Sequence, residues 1–343
     1  MKNAVKNSCR TIDSLAAVVI GRNEGERLTK CLHSLAPQVA YLVYVDSGST
    51  DASCEIARKL GADVVNLDLT RPFTAARARN AGYRRALELF SDLYSIMFVD
   101  GDCVISEGFV EFGDERLRKN AQLAIVVGQL REQFPDASVY NRLCDMEWRI
   151  PAGQISECGG NALIRVQALL DVDGYREDLI AGEEPEMCVR MSGYGWMFEC
   201  VDQEMGFHDA RMTKFSQWWK RMVRCGHAYA EGAALHGQGP TRHYVKQLKS
   251  TLFWGIAVPV GAVACLAMSV FSVWLMVGFL VWPLGWAYLF RKVRSYRLAQ
   301  GDSPNHARTY AGFCVVGKLA NGIGVIKYYW NRFMGRRSKI IEY

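Results

Sequence analysis

An uninterrupted apolar segment near the C-terminus constrains this chain more than any other feature. Residues 252–290 form a run of 39 residues without a charged side chain. One membrane-spanning helix needs about 20 apolar residues, so the length predicts two spans folded as a tight hairpin. Pro259 and Pro283 lie inside the segment, where membrane helices tolerate them. Basic residues flank it on both sides, which predicts that both of its ends lie in the cytoplasm.

The residues after this segment are basic and less apolar. Residues 310–330 form a weaker apolar run that contains Lys318 and Lys327, and we expect an interfacial helix there rather than a third span. The net charge of +6 is modest, and most of the excess base lies in the last hundred residues. No aromatic-interleaved basic motif is present, so the charge favours an anionic membrane surface over nucleic acid as a partner.

The first two thirds of the chain alternate between apolar, β-branched runs and helical patterns. Strands are predicted at residues 16–20, 41–45, 63–67 and 96–99, with helices between them. This alternation predicts an α/β fold with a mostly parallel central sheet and helices on both faces. In such sheets ligands gather at the carboxyl ends of the strands.

Polar clusters follow three of the predicted strands directly. They are Asn23-Glu24, Asp46-Ser47 and Asp100-Gly101-Asp102. Two acids as close as Asp100 and Asp102 repel each other unless a cation lies between them. A hard divalent cation takes oxygen ligands of this kind and often binds phosphate oxygens as well. The alternative interpretation is a solvated Asp-Gly turn in a hairpin.

The order of the short motifs resembles that of the family 2 glycosyltransferases. The motifs are Asn23-Glu24, residues 45–51, Ala78-Arg79-Asn80-Ala81-Gly82, Asp100-Gly101-Asp102, Gly159-Gly160-Asn161 and Gly182-Glu183-Glu184. The resemblance covers about residues 15–230. It implies a GT-A-type nucleotide-binding domain and an inverting transfer, in which an acceptor hydroxyl displaces the nucleoside diphosphate of an activated sugar.

The resemblance also implies roles for single residues. Glu184 stands where the family usually has an aspartate as general base, and Glu183 is the second candidate. The residues implied in donor binding are Asn23, Glu24, Asp46, Arg79, Asn80, Asp100, Gly160 and Asn161. Among these, Asp46 would read the nucleotide base. The implied metal ligands for Mg²⁺ or Mn²⁺ are Asp102, Asp100 and His208.

Simpler interpretations stand beside these roles. Asp46 could only form a turn, and a lone histidine such as His208 is often structural. Glu183 and Glu184 could simply favour the dipole of a helix that starts there. The processive members of the family carry Gln-x-x-Arg-Trp; residues 217–221 lack that order, which disfavours a processive synthase.

The sequence therefore predicts five regions. They are a polar tail without a signal peptide (1–13), a catalytic domain (14–230), a linker (231–250), a transmembrane hairpin (251–291) and a basic interfacial segment (292–343). Eleven cysteines without a Cys-x-x-Cys pair fit a reducing compartment. The predicted location is the inner (cytoplasmic) membrane, multi-pass, with the catalytic domain in the cytoplasm.

The predicted function is transfer of a sugar to a hydroxyl of a membrane-proximal, lipid-linked saccharide in envelope or exopolysaccharide biosynthesis. The hairpin favours a lipid acceptor, because a water-soluble acceptor would not require it. A polyprenyl-phosphate sugar synthase is the alternative within the same class. A nucleotidyltransferase and a non-catalytic membrane scaffold are alternatives from other classes, and glutamate in place of aspartate at 184 is the only support for the scaffold.

Overall fold

A computed structural model describes residues 12–272, 274–279 and 281–336. The chain divides into two compact units, one ending at Thr213 and one beginning at Lys214. Most of the predicted N-terminal tail (1–11) and the end of the predicted basic segment (337–343) lie outside the described residues.

Nine strands of the described residues form one sheet in the first unit. They are β1 (Ile12–Gly21), β2 (Val39–Asp46), β3 (Asp63–Asn66), β4 (Ser95–Asp100), β5 (Cys103–Ile105), β6 (Leu123–Glu132), β7 (Gly153–Ile155), β8 (Ala162–Arg165) and β9 (Met197–His208). Their order is β3-β2-β1-β4-β8-β6-β9-β5, and β7 pairs with β9. The strands β1 to β4 are mutually parallel, as predicted. The strand β8 runs antiparallel to both of its neighbours, so the sheet is mixed.

The first unit also contains seven helices among its described residues. They are α1 (Glu26–Leu35), α2 (Ser53–Lys59), α3 (Ala75–Leu89), α4 (Phe109–Lys119), α5 (Val139–Trp148), α6 (Val166–Asp171) and α7 (Glu183–Gly193). The helix α3 packs closely on β1 and β2, because a Cβ at Gly82 would lie 2.9 Å from Val45 Cγ2 and would clash with Val18. This close approach fixes the position of α3 against the strands whose ends form the candidate site.

The second unit is helical throughout its described elements. Its helices are α8 (Phe215–His236), α9 (Val245–Thr251), a π-helical segment (Leu252–Ala257), α10 (Val258–Met268), α11 (Leu275–Phe279), α12 (Val281–Ala299) and α13 (Pro304–Phe333). A Cβ at Gly278 would lie 2.8 Å from Cys265 Sγ, and one at Gly285 would lie 3.0 Å from Trp254. Residue 265 lies next to 278 and residue 254 next to 285, so the described residues of 252–290 form an antiparallel helical hairpin.

Two helices of the described residues are long and apolar enough to cross a membrane. They are Val245–Met268, whose most apolar 18-residue stretch has a mean hydropathy of 2.0, and Pro304–Phe333, whose most apolar 18-residue stretch has a mean hydropathy of 1.3. The predicted apolar run at 310–330 lies inside the second of these, which is α13. The predicted domain limit at 230/231 lies inside α8, and the predicted domain limits stay predictions.

Candidate active site at the strand ends

The Asp100-Gly101-Asp102 turn joins the end of β4 to the start of β5. Asn161, at the entrance to β8, holds this turn from both sides. Its Oδ1 accepts a hydrogen bond from the Asp100 amide at 2.9 Å, and its Nδ2 lies 3.3 Å from Cys103 Sγ. Asn161 is buried. The structure therefore places this predicted donor-binding residue under the acidic turn, where it supports the backbone.

The buried guanidinium of Arg79, on α3, contacts three carboxylates of the site. Arg79 Nη2 lies 2.9 Å from Asp100 Oδ1, and Nη1 lies 3.2 Å from Glu183 Oε1 and 2.8 Å from Glu184 Oε1. The Arg79 side chain is 3% exposed. A Cβ at Gly160 would clash with Arg79 and lie 2.7 Å from Asp100 Oδ2, so the backbone at Gly160 passes directly over this ion network.

Glu183 and Glu184 begin helix α7. Gly182, which precedes them, has φ 79°, a left-handed conformation that glycine adopts without strain. Burial and the neighbouring Glu183 raise the pKa of Glu184 to about 7, although Arg79 acts in the opposite direction. A carboxyl group with a pKa near 7 is suited to accept a proton at neutral pH.

Asp102 and His208 face each other across the pairing of β5 with β9. Asp102 Oδ2 lies 3.1 Å from His208 Nε2. Burial alone would raise the pKa of Asp102, but His208 and Arg27 outweigh it and the pKa is lowered. The pKa of His208 is raised because the attraction of Asp102 outweighs the effect of burial. The geometry brings together these two predicted metal ligands.

The donor atoms of Asp102, Cys103 and His208 lie within 4.8 Å of one another, a spacing that could hold a metal ion. Burial and Asp102 raise the pKa of the Cys103 thiol well above its usual value. Mn²⁺ and Mg²⁺ prefer oxygen ligands to sulfur, so the thiol is a poor ligand for these ions. One carboxylate and one imidazole remain. This donor set fits Mn²⁺ or Mg²⁺ when phosphate oxygens complete the coordination.

Arg27, on α1, is a residue of the site that the sequence reasoning missed. Its Nη2 lies 2.6 Å from Glu24 Oε2, and its Nη1 lies 3.7 Å from Asp102 Oδ2. Nη1 also donates to the backbone carbonyl of Asp209 at 3.1 Å. Burial and Asp102 raise the pKa of Glu24 to about 7. The spacing of Glu24 and Arg27, three residues apart after a strand, is the sequence signal that could have identified this pair.

Asn23 and Asp46 form a neighbouring loop rather than part of the ion network. Asp46 Oδ2 accepts hydrogen bonds from the amides of Gly48 (2.9 Å) and Ser49 (2.8 Å). Asn23 Oδ1 accepts a hydrogen bond from the Thr50 amide at 2.7 Å. Burial would raise the pKa of Asp46, but the hydrogen bonds outweigh it and the pKa is lowered. Both residues shape the loop after β2, and base recognition by Asp46 stays a prediction.

The hydrogen bonds of Asn80 go to the loop that precedes α7. Its Nδ2 donates to the carbonyl of Tyr175 at 2.7 Å, and its Oδ1 accepts from the Tyr175 amide at 2.8 Å. The Asn80 side chain therefore fixes the loop that leads towards α7, and its role in donor binding stays a prediction.

The fold of this chain is similar to that of the GT-A-type glycosyltransferases. The mannosyltransferase PcManGT from Pyrobaculum calidifontis, solved in complex with GDP-Man and Mn²⁺, has a similar fold, with a TM-score of 0.63. The two chains are 14% identical, and the match covers 93% of this chain and 88% of that chain.

The family follows from the sequence of the same region. The model of the family described as Glycosyl transferase family 2 matches residues 16–169. This region belongs to that family, as the order of its motifs predicts.

Two curated relatives extend beyond this region. Glycosyltransferase AglE from Haloferax volcanii is 24% identical over 230 residues, which are 63% of this chain and 73% of the relative. Succinoglycan biosynthesis protein ExoA from Rhizobium meliloti is 25% identical over 276 residues, which are 73% of this chain and 81% of the relative.

Proposed function

We propose that this chain transfers a sugar from a nucleotide-sugar donor to a hydroxyl group of a lipid-linked saccharide at the cytoplasmic face of a membrane. The observation that carries the proposal is the Arg79 network. It joins Asp100, on the acidic turn, to Glu184, at the start of α7, through contacts of 2.9 and 2.8 Å. A donor diphosphate at the turn and an acceptor hydroxyl at Glu184 would therefore be neighbours.

Glu184 is the proposed general base. It takes the proton of the acceptor hydroxyl while the hydroxyl oxygen bonds to the anomeric carbon from the face opposite the diphosphate. The bond from that carbon to the diphosphate breaks, and its electron pair leaves with the diphosphate, so the configuration inverts. With a pKa of about 7, a substantial fraction of Glu184 is ionised at neutral pH.

Asp102 and His208 are the proposed ligands of a divalent metal ion, with Asp100 beside them. When bound, the ion supplies positive charge that stabilises the leaving diphosphate. Arg27 adds a cation 3.7 Å from Asp102 Oδ2 and ties α1 to the end of β9. Mn²⁺ in the mannosyltransferase of similar fold supports this assignment.

The helical hairpin is the proposed membrane anchor. Only 17% of the most apolar 18-residue stretch of Val245–Met268 is buried inside the protein. Val260 and Val263 are 62% and 64% exposed, an arrangement that lipid would cover. Lys246 and Lys249 precede the hairpin, and Arg291 and Lys292 follow it within α12. The basic residues at both ends favour a cytoplasmic location for both.

The contacts of Lys318 favour an interfacial position for α13 over a third span. Lys318 Nζ lies 3.0 Å from Ser250 Oγ, and Ser250 directly precedes the last residue of α9, at the polar start of the hairpin. Lys318 lies near the middle of α13, so each half of the helix is only about 22 Å long at 1.5 Å per residue. A membrane core is about 30 Å thick. A helix whose midpoint lies at the membrane surface cannot cross that core with either half.

The relatives support a saccharide acceptor in an envelope or exopolysaccharide pathway. ExoA is named for succinoglycan biosynthesis, and this chain covers 81% of its length. A membrane anchor next to a sugar-transfer domain favours an acceptor that is itself held in the membrane. Glu184, placed as a base, favours a hydroxyl acceptor, because the phosphate of a polyprenyl phosphate is already ionised and needs no base.

The test uses the full chain in detergent, with UDP- and GDP-sugars, Mn²⁺ or Mg²⁺, and lipid extracts that contain lipid-linked saccharides. We expect release of nucleoside diphosphate that depends on the lipid extract and on Glu184. Transfer to polyprenyl phosphate that persists in Glu184→Gln would favour the synthase instead. Release of pyrophosphate, or no turnover with any donor, would overturn the proposal in favour of nucleotidyl transfer or a scaffold.

A further inference from the structure

The ring of Trp148, the last residue of α5, covers the imidazole of His208. The two ring centroids are 4.5 Å apart, and the planes differ by 9°. We propose that Trp148 is a positioning residue that fixes the plane of the His208 imidazole, so that Nε2 and Asp102 Oδ2 bind one divalent metal ion together. This inference rests on the proposed metal site.

The backbone of His208 is held on both sides by strand pairing. His208 is the partner of Cys103 in the antiparallel pairing of β5 with β9, and of Glu132 in the parallel pairing of β6 with β9. The carbonyl of His208 accepts a hydrogen bond from the Gln133 amide at 2.9 Å. Strand pairing fixes the Cα position but leaves the imidazole free to rotate about its own bonds. A stacked ring restricts that rotation.

The helix that carries Trp148 is itself anchored to the segment after His208. Ser138, the N-cap of α5, donates to the carbonyl of Met212 at 2.5 Å, and Asn141 Oδ1 accepts from the Met212 amide at 3.0 Å. Asn141 Nδ2 also donates to Glu132 at 3.1 Å, and Glu132 accepts from the Ala210 amide at 3.2 Å. The position of Trp148 over His208 is therefore set by a connected network.

An ion pair with a buried carboxylate also fixes α5 to β6. Asp145 Oδ1 lies 2.8 Å from Arg131 Nε on β6, and the Asp145 side chain is 1% exposed. The helix cannot shift along β6 without breaking this pair, so the indole stays in register with the imidazole. Partners that orient a metal ligand typically change metal affinity about 10- to 100-fold when they are replaced.

The test is a double-mutant cycle between Trp148 and His208 in the full chain in detergent. Free Mn²⁺ is measured by electron paramagnetic resonance as Mn²⁺ is added in the presence of GDP or UDP, whose phosphate oxygens complete the coordination, and a protein-free titration corrects for Mn²⁺ bound by the nucleotide. The readout does not depend on activity. We expect Trp148→Leu to raise the Kd for Mn²⁺ about 10-fold or more, and Trp148→Phe, which keeps a stacked ring, to restore most of the affinity. In a His208→Ala background, Trp148→Leu should change the Kd less than 2-fold, because the two residues act as one unit.

A matched control comes from Trp196 in the same unit, whose Nε1 donates to Asp171 at 2.9 Å. Trp196→Phe should leave the Kd for Mn²⁺ unchanged. Equal Kd values for the wild type and both Trp148 variants would overturn the inference, and so would a Trp148→Leu effect of the same size in the His208→Ala background. If the wild type itself binds no Mn²⁺, the proposed metal site fails together with this inference.

Discussion

Replacing Arg79 by Met tests the ion network that joins the acidic turn to helix α7. The change leaves Asp100, Glu183 and Glu184 without their shared cation, because the contacts at 2.9, 3.2 and 2.8 Å all involve this one guanidinium. Removing one partner of a buried ion pair costs about 3–5 kcal/mol. We expect a loss of this size in the local opening free energy of α3 and α7 at pH 8.

The loss should depend on pH, and the sign follows from Glu184. Its pKa is already about 7 in the presence of Arg79, which lowers it, so it should rise further in Arg79→Met. A carboxyl whose pKa is higher in the folded state binds more protons when folded, so stability falls as the pH rises through that window. The loss of stability in the variant should therefore be smaller at pH 5.5 than at pH 8, by about 1 kcal/mol if the pKa rises by one unit and by at most about 1.4 kcal/mol for a larger rise, because the carboxyl then stays protonated at pH 8.

Hydrogen–deuterium exchange of the full chain in detergent, followed by mass spectrometry of peptides from α3 and α7, measures both quantities. Arg77→Met is the matched control, because Arg77 is buried on the same helix but donates to carbonyl oxygens of Asp68, Arg71 and Pro72. The loss of opening free energy in Arg77→Met should not change with pH. The reasoning fails if Arg79→Met shows the same deficit at both pH values, or if the two variants behave alike.

Three further expectations test separate parts of the site. Glu184→Gln should lower kcat about 10²- to 10⁴-fold, while donor binding measured by calorimetry persists. The kcat of the wild type should rise with pH through about 7, and a pH profile of kcat that is flat would exclude Glu184 as the base. Asp102→Asn should weaken Mn²⁺ binding about 10-fold or more in a titration, and unchanged affinity would remove it from the site. Gly160→Ala places a methyl group 2.7 Å from Asp100 Oδ2 and should destabilise the domain by about 1–3 kcal/mol in denaturation, whereas Gly159→Ala meets no atom within 4 Å and should be neutral.

The positions of the acids could be predicted from the sequence because they depend on local pattern. An apolar run that ends at Asp100 has to place that residue at the end of a strand, and parallel strands place their carboxyl ends on one edge. The antiparallel insertion of β8 between β4 and β6 could not be predicted in this way. It depends on pairing over long sequence separations, and it is what brings Asn161 under the acidic turn.

The contacts of the basic and aromatic residues of the site could not be predicted either, because they also depend on packing between segments that are far apart in the sequence. The family resemblance singles out Arg79 over Arg77 on the same helix, but the contacts of neither residue can be read from the local sequence pattern. Only packing decides that one meets three carboxylates and the other meets carbonyl oxygens. Trp148 ends a helix far in sequence from His208, and no local motif connects the two.

The glutamate at 184, where the family usually has an aspartate, leads to a last prediction. Its Oε1 reaches Arg79 Nη1 at 2.8 Å, and the side chain is 14% exposed. Glu184→Asp shortens the arm by one carbon–carbon bond of about 1.5 Å, so the carboxylate would lose Arg79 unless the backbone moved. We therefore expect Glu184→Asp to lower kcat at saturating donor, although it restores the residue usual in the family.

A steady-state assay of nucleoside diphosphate release compares Glu184→Asp with the wild type and with Glu183→Asp. Glu183 makes the longer contact with Arg79, at 3.2 Å, so shortening it should have the smaller effect. A Glu184→Asp variant at least as fast as the wild type would mean that the carboxylate acts from a position closer to the α7 backbone. The contact with Arg79 would then not define where the base lies during the reaction.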